Sequence, residues 1–156
     1  MLFRSCANCN TVVLWGLANP ARGTNPVQVS NIPAGYSELG GGSVSFTGVA
    51  QTSSTGTLAS VPYGGSPASV DITLASGDMG VAILYTGVSA TNPTPGAGVT
   101  ERTSLNTNGG VTYHEMGTAT GSGTVTMSWT PGNSTDKALA AIPIKAASTC
   151  TAGSTV

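Results

Sequence analysis

Between Ser69 and Leu74 the chain alternates strictly, with Val70, Ile72 and Leu74 on one side and Ser69, Asp71 and Thr73 on the other. A period of two is the signature of a half-buried β-strand, because successive side chains leave a pleated backbone on opposite faces. The pattern recurs at Pro26–Asn31 (Val27, Val29), at Ser43–Gly48 (Val44, Phe46) and at Met79–Thr86, where Met79, Val81, Ile83 and Tyr85 share a face read as inward. It returns at Gly110–Met116 and at Thr124–Trp129, with Val125, Met127 and Trp129 together, and more weakly at Val99–Thr103. Two segments are continuously apolar. Thr11–Leu17 suits a strand covered on both sides. Ala138–Lys145 carries Pro143, which cannot donate to a ladder and so predicts an edge position or a bulge.

Turn residues punctuate these segments. Ala75-Ser76-Gly77-Asp78 predicts a tight reversal that would join Ser69–Leu74 and Met79–Thr86 as an antiparallel hairpin. Gly117–Gly123 predicts a turn and Thr52–Ser66 a loop, and no helical periodicity of useful length occurs. Seven or eight short strands at such spacing predict an all-β chain, an antiparallel β-sandwich of jelly-roll or immunoglobulin-like form with about eight strands. The implied organisation is an N-terminal extension over 1–10, a sandwich domain over 11–147 and a tail over 148–156.

Composition strengthens that picture. Gly, Ser and Thr contribute 22, 18 and 23 of the 156 residues, while charged residues make up only 7%. Stiff, branched Thr and Val pack well on a pleated surface, and hydrophobic residues at 39% suffice for one core. The net charge is −1 and the only cations are Arg4, Arg22, Arg102, Lys137 and Lys145, so no basic stripe exists to neutralise phosphates. That argues against nucleic acid as a partner. The longest apolar run, Val12–Leu17, falls far below the ~20 residues of a membrane-spanning helix. Met1–Asn10 lacks the apolar stretch of a secretory signal. Few charges and many hydroxyls nonetheless suit an extracellular or cell-surface protein, or alternatively one carried on a virion.

Ionisable chemistry is sparse. Cys6, Cys9 and Cys150 sit at the two ends of the chain, with no second pair or neighbouring histidine to make a zinc site. They are read as a disulfide, Cys9–Cys150 or Cys6–Cys150, or as free thiols. His114 is the only histidine, and an alternating strand sends it and Glu115 to opposite faces. No Gly-x-Ser-x-Gly elbow and no Asp-x-Asp-x-Asp-Gly calcium loop occurs. The acids Glu38, Asp71, Asp78, Glu101, Glu115 and Asp136 show no spacing that favours a catalytic pair. Asp71 reads as an outward strand residue and Asp78 as a turn residue bonding its own backbone. Trp15, Phe46, Tyr85 and Trp129 occupy inward-reading positions, which leaves the loop residues Tyr36 and Tyr63 as candidate platforms for a sugar. No catalytic residue, cofactor or metal site is expected.

The order of segments resembles a Gly/Ser/Thr-rich β-sandwich module of large secreted and cell-surface bacterial proteins, found also in some phage particles. The stretches that carry the likeness are 12–20 (VVLWGLANP), 43–49 (SVSFTGV), 76–79 (SGDM), 95–101 (PGAGVTE), 124–129 (TVTMSW) and 140–145 (AAIPIK). The resemblance implies a fold and a non-catalytic role. Such modules have two or three further strands ahead of the Trp-containing one, where this chain has only Met1–Asn10. A sandwich short of strands has an open rim, whose unpaired N–H and C=O groups accept a strand from another chain. Val12, Val13, Leu14, Trp15 and Leu17 are the candidate assembly strand. The expected function is a non-enzymatic structural or adhesive subunit that assembles with copies of itself or neighbouring domains into a filament, surface layer or particle coat. A carbohydrate-binding module and a phage decoration protein are the alternatives.

Overall fold

In the computed structural model, residues 12–30, 39–61, 68–87, 91–130 and 136–148 are described. They contain eight strands: β1 (Ala59–Val61), β2 (Ser69–Leu74), β3 (Met79–Gly87), β4 (Thr94–Pro95), β5 (Thr100–Thr107), β6 (Thr112–Thr120), β7 (Gly123–Thr130) and β8 (Asp136–Ile144). The only helical element among the described residues is a single 3-10 turn, Asn108–Gly110, between β5 and β6. Five strands form one antiparallel sheet in the order β1-β8-β3-β6-β5, and β2-β7-β4 form the other. The expected antiparallel β-sandwich is therefore present. Its pairing is nested, with β1 on β8, β2 on β7 and β3 on β6. First-with-last nesting is the connectivity of a jelly roll rather than of an immunoglobulin domain. The innermost pair of that scheme is missing, because β4 joins β7 while β5 joins β6.

The Ala75–Asp78 reversal does not make a hairpin. β2 pairs with β7 and β3 with β6 and β8, so the turn carries the chain from one sheet to the other. Asp78 explains how this crossing is held. Its buried carboxylate accepts from the Ala75 and Ala146 amides, both at 3.0 Å, and from Lys145 Nζ at 2.8 Å. The turn is thereby tied to the end of β8. The Lys145 and backbone hydrogen bonds outweigh burial and hold the Asp78 carboxyl at about 2, below its ordinary 3.8. Asp78→Asn is expected to cost about 2 kcal/mol in urea unfolding at neutral pH, because two amides lose a charged acceptor.

The inner faces are complementary in size. From the three-stranded sheet come Val70, Ile72, Leu74, Met127 and Trp129; opposite them stand Ala82, Ala119 and Ala141 with Leu84 and Leu139. Gly80 and Gly117 complete this shallow floor. A Cβ on Gly80 would stand 2.6 Å from Ile72, and one on Gly117 2.7 Å from Val99 and 2.8 Å from the Trp129 ring. The inward side of β3 is consequently its small-residue side. Val81, Ile83 and Tyr85 share a face, as their alternation indicates, but it is the face turned away from the second sheet. That outer face is itself covered at Val81, Met116, Ala138, Ala140 and Ile142. Gly40 lies against the His114 ring and Gly42 against Thr103 and Met116, so the segment 39–42 runs across it.

Being covered on both sides accounts for the unbroken apolar run of β8, which lies inside the sheet between β1 and β3 and not at an edge. Pro143 is tolerated there for a local reason. Its carbonyl accepts from Gly56 N at 2.9 Å, and the N–H and C=O of one strand residue point to the same side. The missing donor thus faces residues 54–56, and the ladder to β3 loses nothing.

The N-terminal third departs furthest from expectation. Residues 12–17, 26–30 and 43–48 form no strand, and only isolated bridges, Val49 with Ala146 and Thr55 with Ile144, tie the chain to the end of β8. The expected loop at Thr52–Ser66 instead contains β1. The expected turn at Gly117 is the continuation of β6 to Thr120.

Candidate functional site

The β5–β6 hairpin brings together acids that are fourteen positions apart in sequence. Asn108-Gly109-Gly110 closes it, with φ of 65° and 98° at the two glycines, a left-handed geometry that suits residues lacking a Cβ. From that turn the register places Ser104 opposite Glu115 and Asn106 opposite Tyr113. Arg102 is then extruded by a bulge between Glu101 and Thr103, which sets Glu101 opposite Gly117. Because Glu115 and Gly117 lie two residues apart, Glu101 and Glu115 share the inner face as diagonal neighbours. Arg102 takes no part in neutralising them, for its Nε donates to Thr118 Oγ1 at 2.8 Å on the opposite face.

Glu115 is only 2% exposed, although it carries a carboxyl group. Ser104 Oγ donates to its Oε1 at 2.9 Å and lies 3.4 Å from Asn92 Oδ1, while Oε2 has no partner. Burial pushes the Glu115 carboxyl up from 4.5 to about 7; Ser104 opposes this, and the neighbouring Glu101 carboxyl adds to it by charge and by hydrogen bonding. Two more buried polar atoms without partners belong to this inner face: Thr86 Oγ1, diagonal to Glu115 on β3, and Trp129 Nε1, whose ring covers Gly117. Such groups are costly to bury unpaired, and all three sit on the inner faces toward one end of the sandwich. The two carboxyls are near enough to act on one another by charge and hydrogen bonding, closer than acids that flank a sugar bond. A retaining glycosidase needs roughly 5 Å between its acids. The cluster can share a proton or hold a cation.

The remaining candidates are dispersed. His114 faces away from Glu115, as alternation requires; it packs edge-on against Tyr85 at 5.5 Å and lies 3.3 Å from Thr107 Oγ1. Asp71 is exposed and accepts from Thr126 Oγ1 at 2.6 Å across the β2–β7 pair. Trp129 is buried and Phe46 and Tyr85 half-buried, whereas Trp15 is 58% exposed and so is not a core residue. Cys6, Cys9, Cys150, Tyr36, Tyr63, Glu38 and the segments 1–10 and 149–156 lie outside the described residues. No helix among the described residues is long and apolar enough to cross a membrane.

A second surface of interest lies on the N-terminal segment. Val12, Val13 and Leu14 are half-buried, but Trp15 and Leu17 stand out into solvent, and Val27 is 76% exposed. Among the described residues, six of the eight large exposed hydrophobics fall between Trp15 and Val44; the others are Leu105 on β5 and Val111 beside it. Among the described residues β5 pairs only with β6, so its outer edge is open over eight residues. Glu101, Arg102 and the bulge blunt the first part of that edge, and Thr103–Thr107 is uncharged. The chain matches no protein-family model, no curated protein and no solved structure.

Proposed function

We propose that the protein is a non-enzymatic structural or adhesive subunit that assembles by exchanging its extended N-terminal segment with a neighbouring copy. The observation that carries this reading is the concentration of exposed apolar side chains on residues 12–30 and 39–46, which lack strand pairing of their own. A contiguous apolar segment held in water is disfavoured by roughly 25 cal/mol per Å² and is relieved by burial against a partner. The uncharged, unpaired edge Thr103–Thr107, with Leu105 exposed, supplies a complementary surface for an extended strand. Hydroxyl-rich composition and the likeness to Gly/Ser/Thr-rich surface modules support placing such an assembly outside the cell or on a particle.

Sedimentation velocity over a hundredfold concentration range tests this. The intact chain is expected to show mass-dependent association, and Leu17→Asp together with Trp15→Ser is expected to leave a monomer with unchanged far-ultraviolet dichroism. A sharp monomer for the intact chain at the highest concentration would overturn the proposal, as would undiminished association in the double variant.

A further inference from the structure

We propose that Asn92, Glu101, Ser104 and Glu115 form an all-oxygen site for a divalent cation of the calcium class on the inner face of the β5–β6 hairpin. The first argument is a count of donors and acceptors. The Glu115 carboxylate, an amide oxygen and a hydroxyl converge, with Glu101 the diagonal neighbour of Glu115 on the same face, and the single hydroxyl hydrogen of Ser104 cannot serve both Glu115 Oε1 at 2.9 Å and Asn92 Oδ1 at 3.4 Å. Those separations also suit a shared cation, since oxygens bound at 2.3–2.6 Å to calcium stand roughly 3 Å from one another. The two acids also match the double charge of the ion. Arg102 bonds Thr118 on the other face, while Lys137 shares the inner face on β8, in register with Thr86 and one strand further from Glu115.

A second observation points to a ligand independently of the acids. Thr86 is fully buried with its hydroxyl unpartnered, and it lies on the inner face diagonal to Glu115, whose own Oε2 is orphaned. A water in the cation's shell would donate to Thr86 Oγ1, while the ion would take Glu115 Oε2. Glu101, Ser104 and Asn92 are exposed and give the ion an entry path from solvent. No group of three or more His, Cys, Asp or Glu side chains gathers among the described residues, so neutral oxygens and water must complete the shell. That mixture suits calcium, which accepts six to eight irregular oxygen ligands, better than magnesium, which demands a near-ideal octahedron, or zinc, which prefers nitrogen and sulfur.

The test uses the full chain after treatment with a chelator. Calcium chloride at a hundredfold excess over its dissociation constant is expected to raise Tm by roughly 5 °C or more, with magnesium chloride giving much less. Terbium is expected to show emission sensitised by indole excitation, because Trp129 adjoins the site, and calcium should quench it by competition. Glu115→Gln and Glu101→Gln should each lose the calcium shift and the terbium signal. Glu101 is exposed, so its variant carries the test should the Glu115 variant fail to fold. Trp129→Phe should lose most of the emission but keep the calcium shift. Absence of a calcium shift in the intact chain, an equal response to magnesium, or a shift that persists in Glu101→Gln would overturn the proposal.

Discussion

Trp129→Ala is expected to lower the unfolding free energy by about 3–5 kcal/mol, the largest effect of any single substitution in the inter-sheet core. Trp129 is buried at the end of β7, and its ring lies over Gly117 and beside Val99. No other side chain can collapse into the vacated volume from the floor, because Gly117 has none and Ala119, the next residue on that face of β6, has a single methyl group. The lost transfer free energy therefore adds to the cost of a persistent cavity. Chemical denaturation with an unchanged m-value is the measurement. A loss below about 1.5 kcal/mol would mean that the two sheets close over the gap. Trp129→Phe separates two contributions, since it keeps most of the ring and removes the orphaned indole N–H; it should cost much less than the alanine variant.

The same contact shows why period-two alternation revealed the strands and misplaced the core. β2 and β7 have large side chains inward and polar ones outward, and there the alternation predicts both strand and face. On β3 the alternation is equally clear, but both faces are covered, one by the second sheet and one by residues that include Gly40 and Gly42. Size then ceases to mark the interior. The close approach of the two sheets selects Gly80, Ala82, Gly117 and Ala119, residues that read locally as turn or filler. Pro143 misleads in a related way, because its effect on a ladder depends on which side its nitrogen faces, a property invisible in the linear pattern. Alternation at Pro26–Asn31 and Ser43–Gly48 shows only that these stretches could pair; the described residues 26–30 and 43–48 form no strand, and the Gly48 carbonyl accepts from the Ala147 amide just beyond β8.

Legibility of the candidate site was limited by register. Glu101 and Glu115 meet only because the Asn108–Gly110 turn sets one strand against the other and the bulge at Arg102 shifts the alignment by one residue. The Asn-Gly-Gly turn was a usable hairpin signal, and from it the Ser104–Glu115 pairing follows by counting. The bulge has no comparable signal, and without it position 101 would pair with 118, on the opposite face. Thr86 and Trp129 arrive from β3 and β7, elements whose placement follows from the nested topology rather than from spacing. A site assembled across four strands in this manner has no motif to find.

Stability is expected to peak at about pH 4–5 and to fall on both sides, for opposite reasons located in two acids. Asp78 has its folded pKa depressed, from 3.8 to about 2, so its contribution of about 2 kcal/mol is present above the unfolded value and is lost as pH falls through the folded one. Glu115 has its folded pKa raised, from 4.5 to about 7, so the folded state holds a proton that the unfolded state has released. Unfolding free energy therefore declines as pH rises between those two values, by about 3 kcal/mol in all. Above pH 7 an ionised carboxylate is buried beside Glu101, with Oε2 unpartnered and only Ser104 donating to the side chain. Glu115→Gln removes the titration while keeping the shape, and it should abolish the alkaline decline but leave the acid limb intact. Urea midpoints measured without divalent cations from pH 2 to 8 check both limbs. An intact chain that gains stability between pH 5 and 7 would show that Glu115 is ionised at no cost, and hence that its surroundings are wetter than the packing of β3, β6 and β7 allows.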